Sequence, residues 1–326
     1  MYKGPPIPAP RPSPRMRLFR HWTDLPADAR GAVVALGNFD GVHRGHRAVI
    51  GVARQVAADL GAPVGVLTFE PHPRSVFRPD DPPFRLTPFR LKVRELQALG
   101  LDSCVVLAFD RAFSTIGAEA FVDAVLVRGL GVRAVVVGYD FVFGQGREGT
   151  VDRLSRWGEA RGFAVRVVSP AGDDGLVFSS TAARDALKAG DTRRAAAILG
   201  RDWEIEGRVE HGDKRGRTIG FPTANVHLAD HLRPAFGVYA VRAGIDEGAG
   251  TVWHAGVANL GRRPTVGGLV ERLEVHLFDY AGDLYGRHLR VRMVDFIRPE
   301  MKFDGLDALK ARIAEDAARA RVVLAG

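Results

Sequence analysis

The sequence predicts an α/β domain with a parallel sheet covered by helices on both faces, followed by a small antiparallel β domain and a C-terminal helix. Three observations support this fold class. From Gly31 to about Lys188, apolar runs of strand length alternate with segments of helical period, which is typical of a parallel sheet between helices. After Gly200 the apolar runs are short and often alternating, with Gly, Pro, Asn and Asp between them, as in an antiparallel barrel or sandwich. A chain of 326 residues also favours two domains.

These patterns place the elements along the chain. In the first half, strands are predicted at 32–36, 64–69, 103–109, 134–137 and 164–168. Helices are predicted at 47–60, 89–99, 117–128 and 150–161, then after 179–181 and at 192–199. The prolines of the loop 70–88 exclude regular structure there. In the second half, strands are predicted at 203–211, 237–243, 251–259, 273–280 and 288–297, and a last helix at 306–324.

Three loops with polar residues follow predicted strands of the first half. They are the glycine-rich turn 37–46, the loop 70–88 with His72, and the loop 138–149 with Asp140. In parallel sheets, ligands bind beyond the carboxyl ends of the strands. We therefore expect the three loops to meet at one edge of the sheet.

The turn 37–46 has the features of an anion-binding site. It joins a buried strand to a helix, so backbone N–H groups and the positive helix end face whatever anion occupies the turn. His43 and His46 can donate hydrogen bonds to phosphate oxygens, and Gly45 lets the backbone approach closely. A turn with two merely exposed histidines is the alternative. Zinc is not expected, because no Cys/His cluster supplies further ligands.

A second polar, glycine-punctuated turn, 216–225, lies in the second half. Thr223 and Asn225 face the same side of an extended backbone and could hold Mg²⁺ and a nucleotide phosphate. The alternative is a β-turn in which Asn225 caps the next segment. Farther on, Glu274 and His276 share one strand face, where a carboxylate could act as a general base on a hydroxyl. An ordinary exposed strand carboxylate is the alternative for Glu274.

The composition narrows the function classes. The net charge of +8 favours anionic partners, but the arginines are dispersed, so we expect anionic small molecules and no nucleic acid. No apolar run approaches the roughly 20 residues that span a bilayer, and the Pro- and Arg-rich start lacks the apolar stretch of a secretory signal. The single cysteine, Cys104, favours a reduced compartment. We expect a cytoplasmic protein without a membrane partner, a monomer or weak homo-oligomer, with residues 1–22 as a disordered or extended tail.

Taken together, a series of motifs resembles the bacterial bifunctional riboflavin kinase/FAD synthetase family. In chain order they are NFDGVHRGH (38–46), FEPHP (69–73), DFVFG (140–144), STAAR (180–184), GRTIGFPTAN (216–225), NLGRRPT (259–265), EVHLFD (274–279), DLYG (283–286) and FIRPEMKF (296–303). The first also resembles the HxGH signature of the nucleotidyltransferase superfamily. Each motif alone has low to moderate specificity, whereas the ordered set is highly specific. It covers nearly the whole chain outside the tail and the last helix.

For the first half, the resemblance implies a Rossmann-like FMN adenylyltransferase domain at 23–185. His43 and His46 would bind and polarise the ATP phosphates. Other residues implied to bind ATP or its phosphates are Gly37, Phe39, Gly45, Ser180, Thr181 and Arg184. From their position alone, the hydroxyls of Ser180 and Thr181 could instead cap a helix. His72 and Asp140 would lie on the flavin side.

For the second half, the resemblance implies a riboflavin kinase domain at 186–326, built as a small antiparallel barrel with a C-terminal helix. Glu274 would be the catalytic base, Thr223 a Mg²⁺ ligand, and Asn225 a ligand on the phosphate and metal side. The implied cofactor is Mg²⁺, with ATP as co-substrate in both reactions and riboflavin, FMN and FAD as substrates and products.

Two other classes of function remain open from the sequence. The first is a nucleotidyltransferase acting on another acceptor, such as pantetheine phosphate or a nicotinamide mononucleotide, which the motif at 38–46 permits and the segment 220–225 disfavours. The second is a non-enzymatic nucleic-acid or flavin-binding protein, suggested by the basic charge.

Overall fold

The computed structural model describes residues 16–173, 175–210, 221–246, 250–265 and 268–326. Contacts divide the chain into two compact units. The first unit contains the described residues up to Asp81 together with Phe89–Val177. The second contains Pro82–Pro88 together with the described residues from Phe178 to the end.

The first unit alternates strands and helices. Its strands are β1 (Arg17–Phe19), β2 (Val33–Leu36), β3 (Val64–Glu70), β4 (Ser103–Ala108), β5 (Ala134–Gly138), β6 (Ala164–Val168), β7 (Gly172–Asp173) and β8 (Leu176–Val177). Its helices are α1 (Arg44–Leu60), α2 (Pro73–Phe77), α3 (Phe89–Gln97), α4 (Ala118–Phe121), continued by the π-helix Val122–Leu130, and α5 (Val151–Arg161). The small β7–β8 hairpin is not among the predicted elements.

Six of these strands form a sheet in the order β1-β4-β3-β2-β5-β6, and all neighbouring pairs are parallel. Alternate residues of β2 enter different cores: Val34 and Leu36 pack on the side of α4 and α5, whereas Val33 and Ala35 pack on the side of α1 and α3. The predicted parallel sheet with helices on both faces is therefore confirmed. Strand order reverses beside β2, because β3 and β4 extend the sheet on one side and β5 and β6 on the other.

Two parts of the first unit differ from the prediction. Residues 17–19, assigned to the N-terminal tail, form an edge strand that pairs with β4 at Ser103, and the neighbouring Met16 is buried. The prediction of a structureless loop at 70–88 is wrong for α2, because Pro73 occupies a first-turn position, where a helix does not need the missing N–H.

The described residues of the second unit form a barrel and three helices. The helices are α6 (Ser180–Lys188), α7 (Thr192–Leu199) and α8 (Leu306–Ala325). The strands are β9 (Trp203–Glu210), β10 (Ala224–Val226), β11 (Gly237–Asp246), β12 (Thr251–Thr265), β13 (Gly268–Leu277) and β14 (His288–Pro299). They close in the order β10-β13-β12-β11-β14-β9, with antiparallel pairing throughout. The predicted antiparallel barrel with a C-terminal helix is confirmed.

The short strand β10 closes the barrel, although its residues fall at the end of the predicted turn 216–225. It pairs with β13 on one side and with β9 on the other. Positions 216–220 of the predicted turn, and position 211 of the strand predicted at 203–211, lie outside the described residues. Helix α8 covers the outer face of β11, β12 and β14. A buried ion pair fixes this helix, because Arg298 on β14 donates to both carboxylate oxygens of Asp316.

The segment 82–88 belongs to the barrel unit although it lies between β3 and α3 in sequence. The indole Nε1 of Trp203 donates to the carbonyl of Leu86 over 2.9 Å. The N–H of Leu232 donates to the carbonyl of Arg85 over 2.8 Å.

Helix α6 is also part of the barrel unit, whereas the predicted domain boundary between 185 and 186 divides this helix. The functional domains 23–185 and 186–326 stay predictions.

A neutral histidine is buried beside this segment. His231 is 1% exposed; its Nδ1 donates to the carbonyl of Leu228 and its Nε2 accepts the N–H of Glu206. Burial lowers the pKa of His231 from the ordinary 6.5 to about 4, and Arg233 acts in the same direction. The hydrogen bond to Leu228 and the charges of Glu206 and Asp230 oppose this shift without cancelling it.

We expect the barrel unit to lose stability between pH 6.5 and pH 4. The unfolded chain binds a proton in this window that folded His231 does not bind, so the free energy of unfolding falls by about 3 kcal/mol as the pH decreases. Urea unfolding of the full chain across this window measures the effect. His231→Gln removes the titrating group and should flatten the slope; parallel pH profiles of the two proteins would contradict the assignment.

Candidate active sites

Three predicted loops of the first unit follow adjacent strands. The turn 37–43 follows β2, the His72 loop follows β3, and the Asp140 loop follows β5. Strands β3 and β5 are the two neighbours of β2 in a parallel sheet, so all three loops start at the same edge. This edge contains the reversal of strand order, which is where open α/β sheets bind ligands.

The backbone of the turn is tightly constrained. Phe39, Gly41 and Val42 have left-handed φ angles of 50°, 90° and 41°, which for the two non-glycine residues is an unfavourable conformation. A Cβ atom on Gly37 would lie 3.3 Å from the ring of Phe39, so this position favours glycine. The ring of Phe39 is 1% exposed and belongs to the core. If Phe39 binds phosphate as predicted, its backbone is therefore the part that does so.

The two histidines lie at the N-terminal end of α1. His43 is the N-cap residue, and its Nδ1 accepts the N–H of His46 over 3.2 Å. Because a backbone N–H can only donate, Nδ1 of His43 carries no proton, and the neutral ring has its proton on Nε2. The rings of His43 and His46 are stacked with 3.6 Å between centroids, and Gly45 is in the first turn of the helix. The arrangement combines imidazole donors with a positive helix end, which suits phosphate oxygens.

The predicted flavin-side residues occupy the two flanking loops. His72 is the N-cap residue of α2, and its Nδ1 accepts the N–H of Arg74 over 3.1 Å. Asp140 is exposed in a turn directly after β5, where the N–H of Phe141 donates to the carbonyl of Gly138 over 3.1 Å. Their place at the ligand-binding edge agrees with a binding role, and contact with a flavin stays a prediction.

Ser180, Thr181 and Arg184 lie on α6 in the second unit. Ser179 caps this helix by accepting the N–H of Ala182, so the capping alternative applies to Ser179 and not to the two predicted hydroxyls. The Nε of Arg184 donates to the carbonyl of Phe84 over 2.9 Å, which gives this arginine a structural contact. The binding of phosphate by the three residues stays a prediction.

The candidate site of the barrel unit is a row of polar residues across three strands. Asn225 on β10 is the register partner of Glu274 on β13, and Glu274 is the register partner of Asn259 on β12. All three side chains are half-buried, whereas Leu273 and Val275 beside Glu274 point into the barrel. The row places a carboxylate between two amides on the outer face of the barrel. Asn259 was not singled out as a site residue from the sequence, because only the register shows that it neighbours Glu274.

A hydrogen bond connects this row to the segment before β10. The Nδ1 of His276 donates to the carbonyl of Pro222 over 2.8 Å, and the ring of Phe221 packs edge-on against His276. Thr223 follows directly and is half-buried. The contact therefore holds Thr223 next to the strand that carries Glu274.

The side-chain oxygen of Asn225 is a candidate ligand atom. Its Oδ1 is buried and has no hydrogen-bond partner among the residues that the structure describes. A buried acceptor without a partner is unfavourable unless a cation or donor satisfies it. With the hydroxyl of Thr223 close in sequence, the donor set consists of neutral oxygens, which Mg²⁺ accepts together with phosphate oxygens and water. No cluster of three or more His, Cys, Asp or Glu side chains suited to a metal occurs in the described ranges.

The end of the 274–279 motif has a structural function. The guanidinium of Arg321 on α8 donates to both oxygens of Asp279, each over 2.9 Å, and these hydrogen bonds lower the pKa of Asp279. The cation of Arg321 also lies over the ring of Phe278. This motif thus combines a candidate base at Glu274 with an anchor for the last helix.

Two family profiles match the chain in sequence order. The FAD synthetase profile matches residues 25–182, and the riboflavin kinase profile matches residues 199–324. The first range contains the histidine turn, and the second contains Thr223, Asn225 and Glu274.

Curated relatives match over nearly their full length. A bifunctional riboflavin kinase/FMN adenylyltransferase of Escherichia coli (strain K12) is 45% identical over 307 residues, covering 94% of this chain and 97% of the relative. The protein of the same name from Pseudomonas fluorescens is 45% identical over 95% of this chain and 98% of the relative. That of Bacillus subtilis (strain 168) is 38% identical over 87% of this chain and 90% of the relative.

A solved structure from Streptococcus pneumoniae, titled a macrolide-efflux protein, superposes with a TM-score of 0.83 at 31% identity. The match covers 94% of this chain and 99% of that chain. No helix in the described part of this chain is long and apolar enough to cross a membrane. With both profiles and the full-length relatives in agreement, this chain belongs to the family of bifunctional riboflavin kinase/FMN adenylyltransferases.

Proposed function

We propose that the two reactions of the family take place at two separate sites of this chain. The barrel unit phosphorylates riboflavin to FMN, and the first unit transfers an adenylyl group from ATP to FMN. The row of Asn225, Glu274 and Asn259 is the observation that supports the kinase assignment most strongly. The histidine pair at the end of α1 supports the second assignment.

At the kinase site, Glu274 is the proposed base. The terminal ribityl hydroxyl of riboflavin is protonated at neutral pH, so its attack on the γ-phosphorus of ATP requires loss of a proton. Glu274 accepts that proton while the oxygen bonds to the γ-phosphorus, and the bond from this phosphorus to the bridging oxygen of ADP breaks. The products are FMN and ADP.

Thr223 and Asn225 are the proposed residues for Mg²⁺, with Asn225 also facing the phosphates. When bound, Mg²⁺ neutralises charge on the triphosphate. The buried Oδ1 of Asn225 supports this assignment, as does the contact between His276 and Pro222 that holds the neighbouring Thr223.

At the adenylylation site, no strong base is needed, because the FMN phosphate is already an anionic nucleophile. A phosphate oxygen of FMN bonds to the α-phosphorus of ATP, and the bond to the leaving pyrophosphate breaks. Nε2–H of His43 and the N-terminal end of α1 stabilise charge on the phosphates. His46 and Gly45 are the other residues of this anion site. Gly37 and the Phe39 backbone line the turn, while Ser180, Thr181 and Arg184 are proposed as further phosphate contacts. His72 and Asp140 are proposed on the FMN side.

Incubation of the full chain with riboflavin, Mg²⁺ and ATP tests this function. Chromatography should show riboflavin converted first to FMN and then to FAD, and FMN alone should give FAD and pyrophosphate. FMN without FAD would contradict the assignment of the first unit. A preference for pantetheine phosphate or nicotinamide mononucleotide over FMN as adenylyl acceptor would support the rival nucleotidyltransferase.

The remaining proposals concern the setting of the protein. We propose a cytoplasmic monomer or weak homo-oligomer that binds small molecules and no nucleic acid. The single cysteine supports a reduced compartment; Cys104 is buried, and burial raises the pKa of its thiol to about 12.

A further inference from the structure

A lysine is completely buried beneath the histidine turn. Lys92 on α3 has 0% exposure, and its ammonium group lies within 3.4 Å of four oxygen atoms. It donates to the carbonyl of Asn38 (3.4 Å), the hydroxyl of Thr68 (3.2 Å) and the carbonyl of Phe69 (3.3 Å). It also pairs with the carboxylate of Glu70 at 3.3 Å. The lysine thus connects the turn after β2 with the carboxyl end of β3.

Burial of the Lys92 ammonium group costs free energy, so this residue is a poor choice if it only fills space. Moving an ammonium group out of water carries a large desolvation penalty, and an apolar residue of similar volume is often as stable in such a place. Two other residues of α3, Leu91 and Leu96, are fully buried and apolar. A positive charge at this position therefore points to a role in the adjacent anion site.

The contact with Asn38 orients a peptide group of the turn. In a trans peptide, the carbonyl and the following N–H point in opposite directions. The Asn38 carbonyl is directed towards Lys92, and the hydroxyl of Thr68 donates to the same oxygen over 3.1 Å. The N–H of Phe39 must then point away from the buried cation. This N–H is the group left to Phe39 for binding phosphate, since its ring is in the core.

A second set of contacts that involves α3 holds the same turn. Arg47 pairs with Glu95 at 3.3 Å, and its Nε donates to the carbonyl of Val42 over 3.2 Å. By the same geometry, the N–H of His43 points away from that contact. Helix α3 thus supplies Lys92 and Glu95, one helical turn apart, to hold two peptide groups of the turn.

We propose that Lys92 is a positioning residue for FMN adenylylation: its buried ammonium fixes the 38–39 peptide so that the turn presents its N–H groups to the nucleotide phosphates. The inference rests on the proposed assignment of adenylylation to the first unit. Lys92 does not need to touch substrate in this role, and its sequence position on an amphipathic helix gave no sign of it.

The test compares Lys92→Met with Arg90→Met, which removes an exposed cation from the same helix. In Lys92→Met we expect kcat/KM for FMN adenylylation to fall roughly 10- to 100-fold. This is the usual effect of losing a residue that orients the ligand-binding groups without touching the ligand itself. The loss should persist in kcat at saturating ATP and FMN, and Lys92→Arg should recover part of it. Riboflavin phosphorylation should change less than about twofold in all variants, because its proposed site is on the other unit; this shows that the barrel unit is folded, and thermal unfolding of each variant shows whether the first unit is folded.

Thr68→Val provides a second variant if Lys92→Met does not fold. It removes the hydroxyl shared by Asn38 and Lys92 and keeps the buried charge, so a several-fold loss of adenylylation alone is expected. Normal adenylylation in folded Lys92→Met, or in Thr68→Val where the first variant fails to fold, overturns the proposal. So does an equal loss of both activities in folded protein. If the wild type makes no FAD, the proposed function itself fails, which is a separate outcome.

Discussion

Glu274→Gln should abolish riboflavin phosphorylation while the same chain still converts FMN to FAD. The substitution keeps the size of the side chain and removes its ability to accept a proton. Since a positioned base contributes roughly 10²- to 10⁴-fold, we expect kcat for FMN formation to fall by at least 10²-fold. Separate assays with riboflavin and with FMN as substrate measure the two activities.

Glu271→Gln is the matched control for this prediction. Glu271 lies on the same strand, and its carboxylate binds Arg233 and Arg262, so its loss affects structural ion pairs and no proposed catalytic group. We expect this variant to keep kinase activity within a few-fold, even if it unfolds at lower temperature. Similar kinase losses in both variants would indicate that strand β13 is sensitive to any lost carboxylate, and Glu274 would not be the base.

The candidate residues of the barrel site could be proposed from the sequence, whereas their arrangement could not. The alternation of Thr223 and Asn225 and the position of Glu274 are local features, and both were available from residue type and spacing. That Asn225 and Asn259 flank Glu274 depends on pairing between three strands that are far apart in sequence. Register of this kind is set by the closure of the whole barrel, so no local pattern contains it.

The elements that the sequence did not predict are short, and contacts with residues far away in the chain stabilise them. Strand β1 has three residues and pairs with β4, and β10 also has three residues. The prolines of the segment 82–88 predict an irregular loop, but Trp203 and Leu232 bind its carbonyls. Strands β1 and β10 are too short for a period-2 pattern, which needs about four residues or more.

Most features of the histidine turn are local, and the sequence predicts them. Its place between β2 and α1, its glycines and its two histidines could be predicted from the sequence, because each depends on neighbours in the chain. Its support by Lys92 could not, since a lysine on an amphipathic helix is normally solvent-facing. The burial of the Phe39 ring could not be predicted either, because it follows from the left-handed turn and not from the motif.

His43→Asn should remove FMN adenylylation and leave riboflavin phosphorylation intact. One function of His43 is seen in the structure: its Nδ1 caps α1 by accepting the N–H of His46. The other is proposed, namely that its Nε2–H donates to the nucleotide phosphates. Asparagine is among the best N-cap residues, so this variant keeps the cap and loses the second donor. Removing one preorganised donor from a site of developing charge costs on the order of 10²- to 10³-fold in kcat.

His43→Ala and His21→Asn complete this experiment. Alanine loses both the donor and the cap, so it should reduce adenylylation at least as much as asparagine and also lower the stability of the first unit by about 1 kcal/mol. His21 is an exposed histidine of the same unit, and its replacement should change neither activity. If His43→Asn adenylylates FMN at the wild-type rate, capping is the whole function of His43; then the donor to the phosphates must be His46 or the helix end itself.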